Sequence, residues 1–332
     1  MTAQKLPPAP PAGQTAISEG VVIRAGAGSC RVSVGGSVYL CRLRGRLKHV
    51  RRAVQNVVVV GDRVTIQPLP RAAADAAPAG VVESILPRRT QISRRAARRT
   101  GGRIEQVLMA NLDQVVAVQS VAEPAPQGCL VDRLLVAASR YGVPSVLCLN
   151  KVDLAPDVAA ESRWDYYGTL GVEVVRTSVV TGEGLARLAA LLGDVISILL
   201  GASGVGKSSL LNAIAPGLSL RTGEVTGKTG LGRHITTHTE LFRLPGGGFI
   251  ADSPGLRGFD PWDLAPEELR EHWPDLVAHQ DDCRFRTCVH RDEPDCAIKR
   301  AVATGDLPAW RLQAYLDILR DLEDRQREAQ PY

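Results

Sequence analysis

The run Gly201-Ala202-Ser203-Gly204-Val205-Gly206-Lys207-Ser208, with Ser209 after it, fits G-x-x-x-x-G-K-[ST] at every fixed position. Glycines at those places let backbone N–H groups close around phosphate oxygens, and a following helix N-terminus adds positive potential. Lys207 would reach the β- and γ-phosphates, and the Ser208 hydroxyl would ligate Mg²⁺. The apolar run Val195–Leu200 before the motif predicts a buried strand, and Ser209–Ala215 after it predicts a helix. The alternative is a glycine turn with a chance Lys-Ser. The motif points to a nucleoside triphosphate without saying which.

Asn150-Lys151-Val152-Asp153 follows the predicted strand Val143–Leu149 and fits the guanine-reading pattern N-K-x-D. The Asp153 carboxylate can accept from guanine N1–H and N2–H₂, a donor pair that adenine lacks. Asn150 would tie the base to the phosphate loop, and the Lys151 stem would lie over the ring. Thr177-Ser178-Val179, at the end of the next strand, would offer backbone N–H to guanine O6. Asp252-Ser253-Pro254-Gly255 fits D-x-x-G, with Asp252 holding Mg²⁺ through water and the Gly255 N–H sensing the γ-phosphate. Between them lies 221–240, polar and glycine-rich, which reads as a switch loop. Thr236 is its favoured Mg²⁺ ligand, with Thr237 second. Leu256 stands where many GTPases place a water-orienting Gln, so His234 is the candidate for positioning water; contact with backbone or RNA is the other reading.

Cys283-x₄-Cys288-x-His290-x₅-Cys296 brings three thiols and an imidazole together, a closed tetrahedral set for one structural zinc. A disulfide is the alternative, and a reducing compartment argues against it. The region is read as poor in apolar residues, so that the metal would supply its core. Arg284, Arg286, Arg291 and Lys299 around it suggest a polyanion partner.

These motifs need elements to hold them. The chain has 332 residues, enough for two or three domains, and at 45% hydrophobic with 4% aromatic its cores should be aliphatic. The Pro-rich start reads as a disordered tail over residues 1–16, without an apolar signal region. No run is long and apolar enough to span a membrane. Seven cysteines with no export signal argue for the cytoplasm, and Cys30, Cys41, Cys129 and Cys148 read as small core residues. From Glu19 to about Leu86, short strand-like runs with a Gly35-Gly36 turn predict a β-barrel, an OB-fold first, over 17–90.

Two basic clusters frame the barrel: Arg42, Arg44, Arg46, Lys48, His49, Arg51, Arg52, and Arg88, Arg89, Arg94, Arg95, Arg98, Arg99, Arg103. Net charge is only +5, from Lys+Arg 40 against Asp+Glu 35, so clustering rather than the total suggests RNA; a solvated face is the alternative. From 91 to 262 strands alternate with helices, which predicts a mostly parallel α/β sheet. Residues 263–332 read as an α-helical zinc-binding domain ending in Trp310–Gln330, with Leu312, Tyr315, Leu316, Leu319 and Leu322 on one stripe and charges opposite. The base-reading motifs precede the phosphate loop, the reverse of the usual GTPase order, so the domain is read as circularly permuted. The switch after Asp252 then leads directly into the C-terminal module.

Ala110-Asn111-Leu112-Asp113-Gln114, Asn150–Leu154, Gly204–Leu210, Gly232-Arg233-His234, Asp252–Gly255 and the Cys283/Cys288/His290/Cys296 spacing, in this order, resemble the circularly permuted, ribosome small-subunit-dependent GTPase family (RsgA, also called YjeQ). The resemblance covers almost the whole chain after residue 16. It implies an OB-fold, a permuted GTPase and a zinc domain. It further implies late maturation of the small (30S) ribosomal subunit, with conversion of GTP and water to GDP and phosphate stimulated by the subunit and coupled to release. The expected partners are that subunit and its rRNA, with the protein itself a monomer. The chain departs from the family at Ile235, where Thr is usual, and in a short join from Leu192 to Ile196. Two other readings stay open: a zinc-dependent RNA-binding protein with a structural nucleotide site, and a P-loop phosphotransferase, for which no acceptor pocket is legible.

Overall fold

The computed structural model describes residues 17–26, 28–45, 47, 57–70, 77–97, 103–127, 129–218, 239–252 and 264–328. The chain divides into two compact units, Met1–Asn111 with His238–Leu241, and Leu112–Thr237 with Phe242–Tyr332. The 1–16 tail expectation lies outside the described residues, as do Arg46, Lys48, His49, Arg51, Arg52, Arg98 and Arg99.

The first unit opens with β1 (Ser18–Ala25), β2 (Ser29–Val34), β3 (Ser37–Leu43), β4 (Arg63–Pro68) and β5 (Ala79–Ile85). Their order is β1-β2-β3-β5-β4, and β4 pairs back onto β1, which closes the barrel. β3 and β5 run parallel while the other pairs are antiparallel. Inward positions alternate with outward ones, so Val22, Cys30, Val32, Cys41, Val64, Ile66 and Val82 fill the interior. Cys30 and Cys41 are direct register partners there. Both are core thiols, as expected, and burial pushes them up to about 12 and about 11.

Two strands follow that the sequence reading did not separate: β6 (Gln91–Ala97) and β7 (Arg103–Ala110), an antiparallel hairpin. The compact unit that holds the barrel runs on to Asn111 and so takes in this hairpin. The cause is a set of buried bonds. Arg88 grips Asp62 with two bonds of 2.7 and 3.0 Å, and the Asn111 amide donates to Gly61 O at 2.9 Å while its Oδ1 accepts from Arg89 N at 2.9 Å. Arg88 is thus an internal ion pair with its side chain 8% exposed, and Arg44 is paired with Glu83. Neither is an unengaged surface cation of the kind the basic-cluster reading assumed.

The second unit carries β8 (Gln114–Ser120), α1 (Leu130–Arg140), β9 (Ser145–Asn150), α2 (Pro156–Ala159), α3 (Ser162–Thr169), β10 (Glu173–Thr177), α4 (Leu185–Leu191), β11 (Ile196–Leu200), α5 (Lys207–Ile214), the part of β12 (Glu240–Leu244) from Phe242 on, and β13 (Gly247–Asp252). Sheet order is β10-β9-β8-β11-β13-β12. β10, β9, β8, β11 and β13 are parallel, and β12 turns into β13 through Pro245 and Gly246. Successive residues of β8 face opposite sides: Val116 and Val118 pack with Leu188 and Leu210, while Ala117 packs with Leu134, Trp164 and Tyr167. Helices therefore cover both faces, as a parallel sheet requires.

The short join 192–195 is pinned from β8. Asp113 exchanges two bonds of 2.9 Å with Ile196, and Gln114 Nε2 donates to Leu191 O at 2.6 Å and Ser197 Oγ at 2.9 Å. In a permuted domain this join links what would otherwise be the two chain ends. That gives Asp113-Gln114 a physical role: they fasten it to the neighbouring strand.

The same unit ends in α6 (Pro274–Gln280), α7 (Ala297–Thr304) and α8 (Ala309–Glu328). The expectation of an apolar-poor module is overturned here. Leu264, Leu269, Trp273, Leu276, Ile298, Leu307, Tyr315, Ile318, Leu319 and Leu322 form a core into which Cys288 and Cys296 are packed. Each such side chain contributes about 1.5–3 kcal/mol on burial, so a metal is not the module's only source of stability. The α8 stripe is also turned from its predicted position. Arg311, Ala314, Tyr315, Ile318, Leu319 and Leu322 are buried, and Leu312 and Leu316 only half-buried.

Candidate functional site

The carboxyl ends of the parallel strands gather the sequence-predicted residues along one edge, where α/β sheets bind ligands. Asn150 ends β9 and lies in register with Thr177, which ends β10. β11 ends at Leu200, and the phosphate-loop motif follows it into α5. Asp252 is the last residue of β13, beside β11, and only its backbone is described. His234, Thr236, Thr237 and Gly255 lie outside the described residues.

Within the loop, Val205 is fully buried, Ala202 and Ser208 are half-buried, and Ser203, Gly204 and Ser209 are exposed. Two glycines are required by close approach. Gly201 has φ 153°, and a Cβ there would run into Val118 O. Gly206 has φ 96°, and a Cβ there would run into the Asn150 amide. Lys207 Nζ folds over the loop and donates to Gly201 O at 2.9 Å and Ala202 O at 2.7 Å. Burial draws its pKa below the usual lysine range. The ammonium is thus already at the mouth of the loop, where a phosphate exchanges those neutral carbonyls for a full negative charge.

Asn150 is 2% exposed, and its Nδ2 donates to Val205 O at 2.8 Å, joining the N-K-x-D segment to the phosphate-loop motif. Thr177 Oγ1 donates to Asn150 Oδ1 at 3.1 Å and fixes which way the amide points. Sequence reasoning gave Thr177 no such role; its only signal was standing at the strand end. Lys151 sits at φ 63° and its Nζ donates to Glu123 O. Asp153 is half-buried two residues later. Ser178 is fully buried, with its N–H donated to Glu183 O at 3.1 Å and its Oγ accepting from Thr181 N at 3.1 Å; Val179 beside it is 38% exposed.

The cysteine–histidine cluster is assembled as read. The ligating atoms of Cys283, Cys288, His290 and Cys296 lie within 4.8 Å of one another. His290 Nδ1 is 3.4 Å from Cys296 Sγ and 3.7 Å from Cys283 Sγ. His290 adopts φ 65°, and Glu293 holds the turn by accepting from Val289 N at 2.7 Å and Arg291 N at 2.9 Å. Burial pushes the Cys288 thiol up to about 12 and draws His290 below the usual imidazole range, in the direction that favours its uncharged, ligating form. Three thiols and one such imidazole, converging and largely buried, fit a tetrahedral soft-ligand cation. The surrounding charge is less one-sided than its composition implies. Arg284 pairs with Asp295 at 3.0 Å, and Arg291 pairs with Glu323 at 2.9 Å.

Comparisons with known proteins agree with this geometry. The RsgA GTPase family model matches residues 85–262, and the RsgA N-terminal domain model matches residues 19–73. A Moorella thermoacetica protein named small ribosomal subunit biogenesis GTPase RsgA is 39% identical over 309 residues, 93% of this chain and 99% of that one. A Gemmatimonas aurantiaca protein of the same name is 39% identical over 316 residues, 94% of this chain and 99% of that one. Among solved structures, YjeQ from Thermotoga maritima superposes with TM-score 0.71 at 32% identity, covering 92% of this chain and 99% of its own. YloQ, described as a circularly permuted GTPase, gives TM-score 0.71 at 29% identity, covering 98% of this chain and all of its own. With a closed barrel, a permuted phosphate-loop sheet and a Cys₃His module in one order, the chain belongs to the RsgA GTPase family.

Proposed function

We propose that this GTPase acts in late maturation of the small (30S) ribosomal subunit, docking on the subunit and its rRNA with GTP bound and leaving after hydrolysis. The Asn150–Val205 bond of 2.8 Å carries the nucleotide half of the reading, because it makes one rigid unit of a guanine motif and a phosphate motif. Relatives named for small ribosomal subunit biogenesis, each matched over 99% of its length, support the ribosomal half.

In this reading Asp153 accepts from the guanine edge, and the Val179 N–H serves O6 because the Ser178 N–H is held by Glu183. The loop 201–209 wraps the phosphates and Lys207 neutralises them. Ser208, Thr236 and Asp252 would hold Mg²⁺, which would supply charge stabilisation to the phosphates. His234 positions the water, and the Gly255 N–H senses the γ-phosphate. The hydrolytic domain 91–262 lies in sequence between the barrel 17–90 and the module 263–332, which bind RNA. Exposed Arg31 and Arg42 on the barrel provide phosphate contacts that weaken with salt. The protein works as a cytoplasmic monomer; among the described residues no helix is long and apolar enough to cross a membrane.

The test is GTP turnover with and without purified small subunits. A partner that completes a GTPase site can add about 10³–10⁵ in rate, so a rise of at least about tenfold is expected. No rise would favour a zinc-dependent RNA-binding protein whose nucleotide is structural. For the Cys₃His centre we propose one structural zinc. Metal analysis of the purified chain should find about one zinc, and Cys296→Ser should lose it while keeping the helical circular dichroism that the apolar core sustains. Full zinc retention in that variant would refute the ligand assignment.

A further inference from the structure

The segment that leaves β8 touches the nucleotide edge twice before it enters α1. Val121 N donates to Asn150 O at 3.1 Å, and Glu123 O receives the Lys151 ammonium. Pro124 lies against the phosphate loop: a Cβ on Gly204 would meet Pro124 Cδ at 3.5 Å. The chain then reaches the first turn of α1, which carries Asp132 and Arg133. Both are held by the C-terminal helix. Asp132 Oδ1 accepts from Arg311 and from the Tyr167 hydroxyl at 3.1 Å, and Arg133 pairs with Asp321. Arg311 and Asp321 both belong to α8. The same helix carries Glu323, whose carboxylate receives Arg291 of the Cys–His turn at 2.9 and 3.0 Å.

From these contacts we infer that α8 positions the nucleotide site. It acts through Arg311 and Asp321 on the first turn of α1, and so sets how tightly Glu123 and Pro124 close on Lys151 and the phosphate loop. The inference rests on the proposal that this edge holds guanine nucleotide. A helix transmits displacement of its first turn, and only residues 125–129 separate Pro124 from α1 in sequence. Arg311 and Asp321 touch neither base nor phosphate; they are positioning residues. A load on the Cys–His turn reaches the same helix through Arg291 and Glu323, so contact there is converted into a change in nucleotide retention.

The experiment is release of a fluorescent GDP from the zinc-loaded full-length chain. Asp321 and Arg133 have side chains 41% and 23% exposed, so replacing either leaves the fold intact, which the thermal midpoint verifies. Asp321→Ala and Arg133→Ala should each speed release by up to about fivefold, the scale of a partly exposed ion pair. The charge swap Arg133→Asp with Asp321→Arg should bring release back to within about twofold of the parent. Pro124→Gly should speed release too, and adding Asp321→Ala to it should add little, since both act on one contact. Release unchanged in Asp321→Ala, or additive effects with Pro124→Gly, would overturn the role of α8 while leaving the nucleotide site standing. A parent chain that binds no guanine nucleotide would sink both.

Discussion

Asp153→Asn is expected to lower affinity for GTP and GDP by about 10²–10⁴-fold, because two charge-assisted hydrogen bonds worth about 1.5–3 kcal/mol each are lost or reversed. Asp153 is half-buried and stands three residues after the anchored Asn150, so its carboxylate can be changed without disturbing the core. The fold should be untouched, and circular dichroism should not change. Nucleotide competition supplies a second, opposite sign. Xanthine offers a carbonyl where guanine offers N2–H₂, and the amide that replaces the Asp153 carboxylate can donate to it. Xanthosine triphosphate should therefore gain affinity in the variant that loses GTP, while ATP stays excluded from both. A variant that still prefers GTP over xanthosine triphosphate would mean that Asp153 does not read the base edge.

The nucleotide edge was legible because its chemistry is local. The glycines at 201 and 206 are demanded by backbone approach to Val118 and Asn150, and no other residue type fits. The barrel was legible for a related reason, since its short apolar runs alternate with polar residues, as Val32 does with Arg31 and Ser33, and Ile66 with Thr65 and Gln67. The hairpin β6–β7 was not. Arg94 and Arg95 interrupt its alternation, and Ile92 is its one large apolar residue before the turn. β12 went unread between the switch loop 221–240 and the D-x-x-G motif because only Leu241, Phe242 and Leu244 mark it. The C-terminal core escaped because most of its members come from 264–276 and 307–322, outside the cysteine run 283–296. Asp113 and Gln114 had no readable role, since their partners on 191–197 are brought near only by the folded sheet.

The hardest residue to read was Arg311, and its replacement should produce the largest loss of stability. A helical arginine is ordinarily solvated. This one is 2% exposed, grips Asp275 with bonds of 2.6 and 2.9 Å, pairs with Asp132, and stacks over Trp273 at 4.5 Å. Arg311→Leu would leave two buried carboxylates facing one another without a counter-charge, at a cost of about 3–5 kcal/mol. The pH dependence identifies the cause. Burial already holds Asp132 above the usual carboxylate range, with Arg311 the leading influence pulling it back down. Removing Arg311 raises it further. A carboxyl raised in the folded state stabilises the fold fully below its unfolded value of about 3.9 and loses that contribution as pH rises through the folded one. The defect should therefore be greatest near neutral pH and shrink on acidification, when the pair takes up a proton. Adding Asp132→Asn should recover part of the loss at pH 7 by removing one of the stranded charges. Urea midpoints at neutral and acidic pH, for the single and double variants, would decide it. A loss that is the same at both pH values and untouched by Asp132→Asn would show that Arg311 stabilises the module by packing over Trp273 rather than by charge.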